Sequence, residues 1–286
     1  MATLRLSIFE ATLISTTDSL LMYIVSFWSL QDIITCQGLS LVLNNIMRYY
    51  TSRVWNPDVF FQPWFKDDPV YFRELLQQCG AVVSGSQITQ LLDRARYPGS
   101  DMDIFLRVGG LGDMGTWLQD QGYAYVSQYP NYKTAHRRIL RISHRIITER
   151  NPGGPAVQGV FNYQRFIAST TTIFLQKIQL IAVDTNPIQH VLFDFHSTCV
   201  MNFMTFDAVI SIFPLPTFIL HKSYVLRNRD ELGNQSDEWK SKYRDRGFRI
   251  VQRRTKGQHH DLVLGKRSIA DKNSWIIKLA GKTYPF

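Results

Sequence analysis

The chain has little cysteine. Its 286 residues carry three, Cys36, Cys79 and Cys199, far apart and without a C-x-x-C pair. An odd number at such spacing argues against a disulfide framework or a zinc knuckle and fits a reducing compartment. Long apolar runs are also missing: the stretch from Leu20 to Trp28 is too short to span a bilayer. Glu10 and Asp18 interrupt the apolar N-terminus, and no small-residue cleavage site follows, so no secretory signal is expected. Together these absences point to a cytoplasmic or nuclear protein with no membrane contact. Charge is scarce too, at 19% against 45% hydrophobic residues, which is the composition of a globular chain with a large core. The length suits one large domain, or one with a smaller companion.

Positive charge is absent on balance from most of the chain. Residues 1–220 hold 16 Lys+Arg and 16 Asp+Glu, whereas 221–286 hold 16 and 7, so the last segment carries the whole net charge of +9. A basic region of this kind can contact polyanions, nucleotide phosphates or acidic proteins. It also contains Tyr243, Phe248, Ile250, Val251 and Trp275-Ile276-Ile277, and is therefore expected to fold back onto the body.

Residues 10–55 read as helices. Asp18 is a candidate N-cap before Leu20, Leu21, Ile24, Val25 and Trp28, and Ser29 with Asp32 forms a second cap. The aromatic stretch "VWNPDVFFQPWF" is broken by Pro57 and Pro63 and reads as a linker or packing loop. Beyond Tyr71 the pattern alternates. "VYFRELLQQCG" is a helix, "AVVSG" a short buried strand, "SQITQLLDRAR" a helix from Ser86, "YPGS" a turn and "DMDIFLRV" a strand. A helix "TWLQDQGY", a strand "YAYVSQY", a strand "IFLQKIQLIAV" and a helical "NPIQHVLFDFHSTCVMNFM" follow. Strands interleaved with helices indicate an α/β or α+β sheet domain.

The chemistry concentrates at Asp101-Met102-Asp103. On a strand, Asp101 and Asp103 share one face while Met102, Ile104 and Leu106 take the other. Two carboxylates on one face repel and raise each other's pKa. A divalent cation removes that cost, and Mg²⁺ is commonly held by one or two carboxylates plus substrate phosphates. Gly85-Ser86 opens a helix, where free backbone N–H groups favour an anion and glycine allows close approach. The residues from Gln87 to Ser100, one helix and a turn, separate the two features. Ordinary turn chemistry at Pro98-Gly99-Ser100 is the competing explanation for the aspartates, and a simple N-cap the competing one for Gly85 and Ser86.

The order "GS", helix, "DxD" strand resembles the nucleotidyltransferase fold. "GAVVSGSQI", "YPGSDMDIFL", "KIQLIAV", "FHSTCVMNFMTFDAVISIFP" and "KYRDRGFRI" resemble a group of fungal proteins over about residues 75–286. The resemblance implies an α+β domain with a mixed sheet flanked by helices. It further implies Mg²⁺ on Asp101 and Asp103 and a nucleoside triphosphate against Gly85 and Ser86. Members with activity carry a third carboxylate on a later strand. The matching position here is Gln179, an amide with an acceptor oxygen but no charge, which makes a poorer metal ligand and general base. Asp184 lies five residues on, on the other face of a continuing strand. A degenerate enzyme, binding nucleotide with little transfer, is the expectation.

Other motifs weigh less. "GLGDMG" matches G-x-G-x-x-G, but no Asp or Glu occurs between Gln121 and Thr148, so a flexible turn is expected. His196 is expected buried and hydrogen-bonded, His259-His260 in a polar loop, and Arg137, Arg141 and Arg145 on one helical face. "DSLLMYIVSFWSLQDIITCQGLSLVLNNIM" resembles an F-box, which implies binding to an adaptor of cullin-based ubiquitin ligases; the usual "LP" opening is absent. The expected organisation is an F-box-like helical region over 1–66 and a nucleotidyltransferase-fold domain with a basic extension over 67–286. The alternative function is a non-catalytic interaction protein, a substrate receptor of such a ligase.

Overall fold

The computed structural model describes residues 6–65, 68–127, 139, 142, 157–168, 173–226, 235–252, 261–263 and 266–279. The chain divides into two compact units, 1–60 and 61–286.

The first unit is helical: α1 (Ile8–Ser15), α2 (Asp18–Ser26), α3 (Leu30–Leu39) and α4 (Leu41–Val54). Its starts are written in the sequence. Ser7 with Glu10 and Ser29 with Asp32 form complete capping boxes, each satisfying helix-end N–H groups that water or nothing would otherwise meet. Asp18 is the first residue of α2, and Thr17 occupies the N-cap position without a side-chain cap bond. Leu13, Leu21, Val25, Ile33, Leu43, Met47 and Tyr50 make the core of this unit. The short helix α5 (Pro57–Phe61) carries the chain across the division. The aromatics that follow belong to the second unit's core: Phe61 and Phe65 are fully buried, with ring centroids 5.7 and 4.3 Å from Phe72.

The second unit is α+β, a large mixed sheet flanked by helices. Its elements run α6 (Pro69–Gln78), β1 (Val82–Ser84), α7 (Ser86–Asp93), β2 (Met102–Arg107), α8 (Leu111–Asp120) and β3 (Ala124–Val126). There follow β4 (Val157–Ala168), β5 (Ile173–Val183), α9 (Pro187–Phe193), β6 (Asn202–Met204), β7 (Ala208–Ser211), β8 (Lys222–Tyr224), α10 (Gln235–Asp245), β9 (Arg249–Val251) and β10 (Trp275–Lys278). Sheet order is β10-β7-β6-β1-β2-β5-β4-β3, and β8 pairs with β9 apart from it. Only β2 and β5 run parallel in the large sheet among the described strands.

Both faces of β2 are covered. On one, α9 packs over Val82, Phe105, Ile181 and Phe203. On the other, α8 lies so close to β4 that a Cβ on Gly115 would sit 2.5 Å from the Tyr163 hydroxyl. The basic C-terminal region does fold back: β9 pairs with β8, and β10 closes the sheet edge on β7. Two local expectations change. "GLGDMG" lies in a helix start, because a 3₁₀ turn at Val108–Gly110 runs straight into α8. The helix from Pro187 stops at Phe193, and Asn202–Met204 of the same stretch is a buried central strand. Among the described residues no helix is long and apolar enough to cross a membrane.

Candidate functional site

The register of the sheet brings the sequence candidates together. Asp103 pairs with Ser84 on β1 and with Gln179 on β5, and Gln179 pairs with Asn162 on β4. Paired residues share a face. Read across the strands, this one row is Ile276, Ile210, Phe203, Ser84, Asp103, Gln179, Asn162, Val126. It is apolar as far as β6, polar from β1 to β4, and apolar again at the edge strand β3. Below it on the same face lie Val82, Phe105 and Ile181, under α9. The polar residues are thus placed at the rim of an apolar floor. Asp101, Asp103 and Gln179 are each half-buried, and the amide nitrogen of Asn162 is buried without a hydrogen-bond partner.

The turn before α7 meets this row. Gly85 is its N-cap residue, with φ 72°, and no side chain caps the helix. A Cβ there would fall 2.4 Å from Asp103 Oδ2. Glycine is therefore required twice, by its backbone angle and by the carboxylate pressed against it. The carboxylate stands at the positive end of α7. Gly85 and Ser86 are themselves buried. Polar side chains hold the turn from beneath. Ser84 Oγ donates to the Asn202 carbonyl at 2.6 Å, and Asn202 Nδ2 donates to the Cys199 carbonyl at 2.8 Å and to Thr89 Oγ1 at 3.3 Å. Gln87 Nε2 donates to the Ser100 and Asp101 carbonyls, tying the first turn of α7 to the entrance of β2.

The electrostatics follow from burial and one lysine. Burial pushes the Asp103 carboxyl up to about 7; the Asp101 charge adds to the rise and Lys242 opposes it. Burial pushes His196 down to about 4, with Lys242 lowering it further, so its ring is neutral near pH 7. His196 stacks on Trp239 with centroids 4.0 Å apart, and His196 Nδ1 and Trp239 Nε1 are both buried without a partner. The expected hydrogen bond at His196 Nδ1 is not made. Burial also holds the Tyr243 hydroxyl far above its ordinary range, with Asp103 among the charges that surround it. Trp239, Lys242 and Tyr243 all come from α10, so the C-terminal region supplies one wall of the site.

Two carboxylates and the Gln179 amide are hard oxygen donors of the kind that a magnesium-sized cation takes, its remaining positions left to water and phosphate. Among the described residues no group of three or more His, Cys, Asp or Glu side chains converges on one point. Asp184 cannot supply the third. β5 ends at Val183, which pairs with Arg107 at the far end of β2, about 13 Å along the strands from Asp103. Arg137, Arg141, Arg145 and His259-His260 lie outside the described residues.

Ser84, Asn162 and Lys242 were not singled out from the sequence. Ser84 was within reach, because it immediately precedes Gly85 at the end of a short buried strand. Asn162 needs the register of β4, and Lys242 needs the fold. Comparison with protein-family models, curated proteins and solved structures finds no match.

Proposed function

We propose that the second unit binds a nucleoside triphosphate with Mg²⁺, in the manner of a nucleotidyltransferase-fold protein, and transfers nucleotide weakly or not at all. The observation that carries this reading is the contact of the uncapped Gly85 turn with Asp103. It brings an anion-favouring helix start and a carboxylate pair within one ligand's reach. Asp101 and Asp103 would hold the metal, Gly85 and Ser86 the phosphates. Gln179, in register with Asp103, stands where a third carboxylate would assist transfer, and its neutrality is the reason to expect poor catalysis.

Calorimetry with the four nucleoside triphosphates, with and without Mg²⁺, tests this directly. Asp103→Asn should weaken Mg²⁺-dependent binding by about 1–3 kcal/mol, the scale of losing a charged partner. Gln179→Asp should strengthen metal binding. A wild-type melt unmoved by millimolar Mg²⁺-nucleotide would sink the reading.

A second reading has its own support. The first unit leaves Ile8, Phe27, Leu39 and Leu41 between 66 and 89% exposed. Apolar surface of this kind suits a helical adaptor-binding module such as an F-box. A pull-down of the purified ubiquitin-ligase adaptor by full-length chain, lost on Leu41→Asp, would support it, and no retention would exclude it.

A further inference from the structure

The β4–β5 hairpin outruns the sheet it belongs to. Among the described residues, β2 lines β5 only from Ile178 onward, and β3 lines β4 only over 162–164. Towards the hairpin tip β4 and β5 pair with each other alone: Phe166 with Leu175, Ile167 with Phe174, Ala168 with Ile173. The root of this arm is clamped. Arg165 Nη1 donates to the Gln121 carbonyl at 2.7 Å, and its Nη2 donates to the Trp64 carbonyl at 2.8 Å and to Gln176 Oε1 at 3.0 Å. Gln176 Nε2 donates to the Pro63 carbonyl at 3.1 Å. Past the clamp the arm is apolar and bare: Phe166 is 71% exposed, Ile173 73%, Phe174 56% and Leu175 38%. Phe166, Ile173 and Leu175 share one face and Phe174 takes the other, so apolar side chains meet water on both. A two-stranded ribbon is marginally stable alone in water, and a bare strand edge is a template for another strand.

We propose that the outer edge of β5 over 173–176 pairs antiparallel with the same edge of a second copy of this chain, joining two arms into one four-stranded sheet about a twofold axis. This is independent of the nucleotide reading. The occupant follows from the chemistry of the edge. Its outward backbone N–H and C=O groups are unpaired among the described residues and call for an extended strand. Residues 166–176 contain no charge, proline or glycine, so the matching strand is neutral and apolar, as this edge itself is. The whole chain carries +9, and an uncharged edge lets two copies meet without setting like charges together. Area sets the strength. At roughly 200 Å² for a whole large side chain, Ile173, Phe174 and Leu175 expose on the order of 300 Å² per copy. A stable interface takes about 800 Å² from each partner, so the pair is a weak, reversible dimer.

The test uses the full chain. Sedimentation velocity over a concentration series should show a reversible monomer–dimer equilibrium. Amide hydrogen exchange should gain protection within 173–177 as concentration rises, which side-chain packing alone would not give. Phe174→Lys and Phe174→Glu should each weaken the dimer roughly tenfold, since the twofold pair carries the change twice and sets like charges beside each other. An equimolar mixture of the two should restore association, because opposite charges then meet. Ile173→Lys should give the same loss from the other face of the arm, with Phe174 intact. Leu41→Lys puts the same charge on the exposed apolar surface of the first unit and should leave the dimer unchanged. The proposal is overturned if wild type stays monomeric at millimolar concentration, which would assign the edge to a different chain. It is also overturned if Leu41→Lys abolishes a dimer that the arm variants keep, if the mixture associates no better than either variant alone, or if association leaves exchange within 173–177 unchanged.

Discussion

The two units place their polar groups in opposite ways. In the first, polar side chains serve mainly at helix ends and on the surface: Ser7 and Glu10, Ser29 and Asp32, Ser40 on Leu43. Large apolar side chains are left outside, Ile8 at 89% and Leu41 at 81% exposure. In the second, Ser84, Gln87, Thr89, Gln90 and Asn202 are buried and bonded beneath a single turn. A buried polar network is costly where a member is left unsatisfied and fixes one geometry where its members are bonded. Here only Asn202 Oδ1 of these five side chains is buried without a partner, and the bonded groups hold the turn that sets Gly85 against Asp103.

The largest effect that can test this contrast comes from where the chain is cut. A fragment begun at Asn56 keeps Phe61 and Phe65 against Phe72 and Trp117, and should melt cooperatively. A fragment begun at Asp67 lacks both rings. Truncating a buried Phe costs about 3–5 kcal/mol, so losing two should abolish the transition. Circular dichroism melts of the two fragments decide it. A cooperative melt from the Asp67 fragment would show that these rings are dispensable to the second unit.

How far this was legible depends on distance along the chain. The Gly85 turn, α7 and the Asp101–Asp103 parity lie within twenty residues of one another, where period and turn chemistry suffice. Gln179 was reached through resemblance, and its register with Asp103 is a property of the sheet. Lys242 lies about 140 residues beyond Asp103, and no local pattern distinguishes it from Lys240 two residues earlier, which is buried. "GLGDMG" misled because a glycine-rich stretch can also start a helix when its neighbours Leu111, Met114 and Leu118 bury one face. "NPIQHVLFDFHSTCVMNFM" misled because it is apolar throughout, and a continuous apolar run does not tell a buried strand from a buried helix.

Next in size is a pH effect. The folded chain holds His196 neutral down to about 4, whereas an unfolded histidine takes a proton near its ordinary 6.5. The unfolded state therefore binds more protons between those values, and stability must fall as pH drops from 6.5 towards 4. The loss approaches roughly 3 kcal/mol if His196 acts alone. His221, raised by its hydrogen bond to Asp93, works the other way: its contribution is full at low pH and fades as pH rises. His196→Phe should keep the Trp239 stack and flatten the acid limb of a stability–pH curve, and His221→Phe should steepen it. An unchanged acid limb in His196→Phe would remove His196 from the account.

A smaller effect is expected at the turn itself. Gly85→Ala meets both the positive φ and the Asp103 carboxylate, and should cost about 1–3 kcal/mol. In an Asp103→Ala background the collision is gone and only the backbone strain remains, about 1 kcal/mol. Denaturant midpoints of the four proteins give the coupling, which should exceed about 0.5 kcal/mol. Additive costs would mean that the carboxylate and the turn do not press on each other.

The smallest effect lies in the first unit and sharpens the contrast by its sign. Asp18 accepts from Tyr49 Oη at 2.8 Å and from Arg53 Nη1 at 2.7 Å, and the Arg53 guanidinium sits 4.6 Å from the Tyr49 ring centroid. Asp18 also stands in the first turn of α2, where a negative charge is favourable. Its side chain and that of Arg53 are 47 and 51% exposed, so water and salt screen most of the attraction. Asp18→Asn should therefore cost less than about 1 kcal/mol at low salt, and nearly nothing in molar salt where the screening length is about 3 Å. Asp103→Asn, measured without metal or nucleotide, should instead raise the melting temperature, because it removes a charge that burial disfavours and that Asp101 repels. Melts of the two variants at low and high salt compare a carboxylate placed for stability with one placed at a stability cost. A destabilised Asp103→Asn would assign its carboxylate a structural task at the N-terminus of α7 and weaken the case for a ligand there.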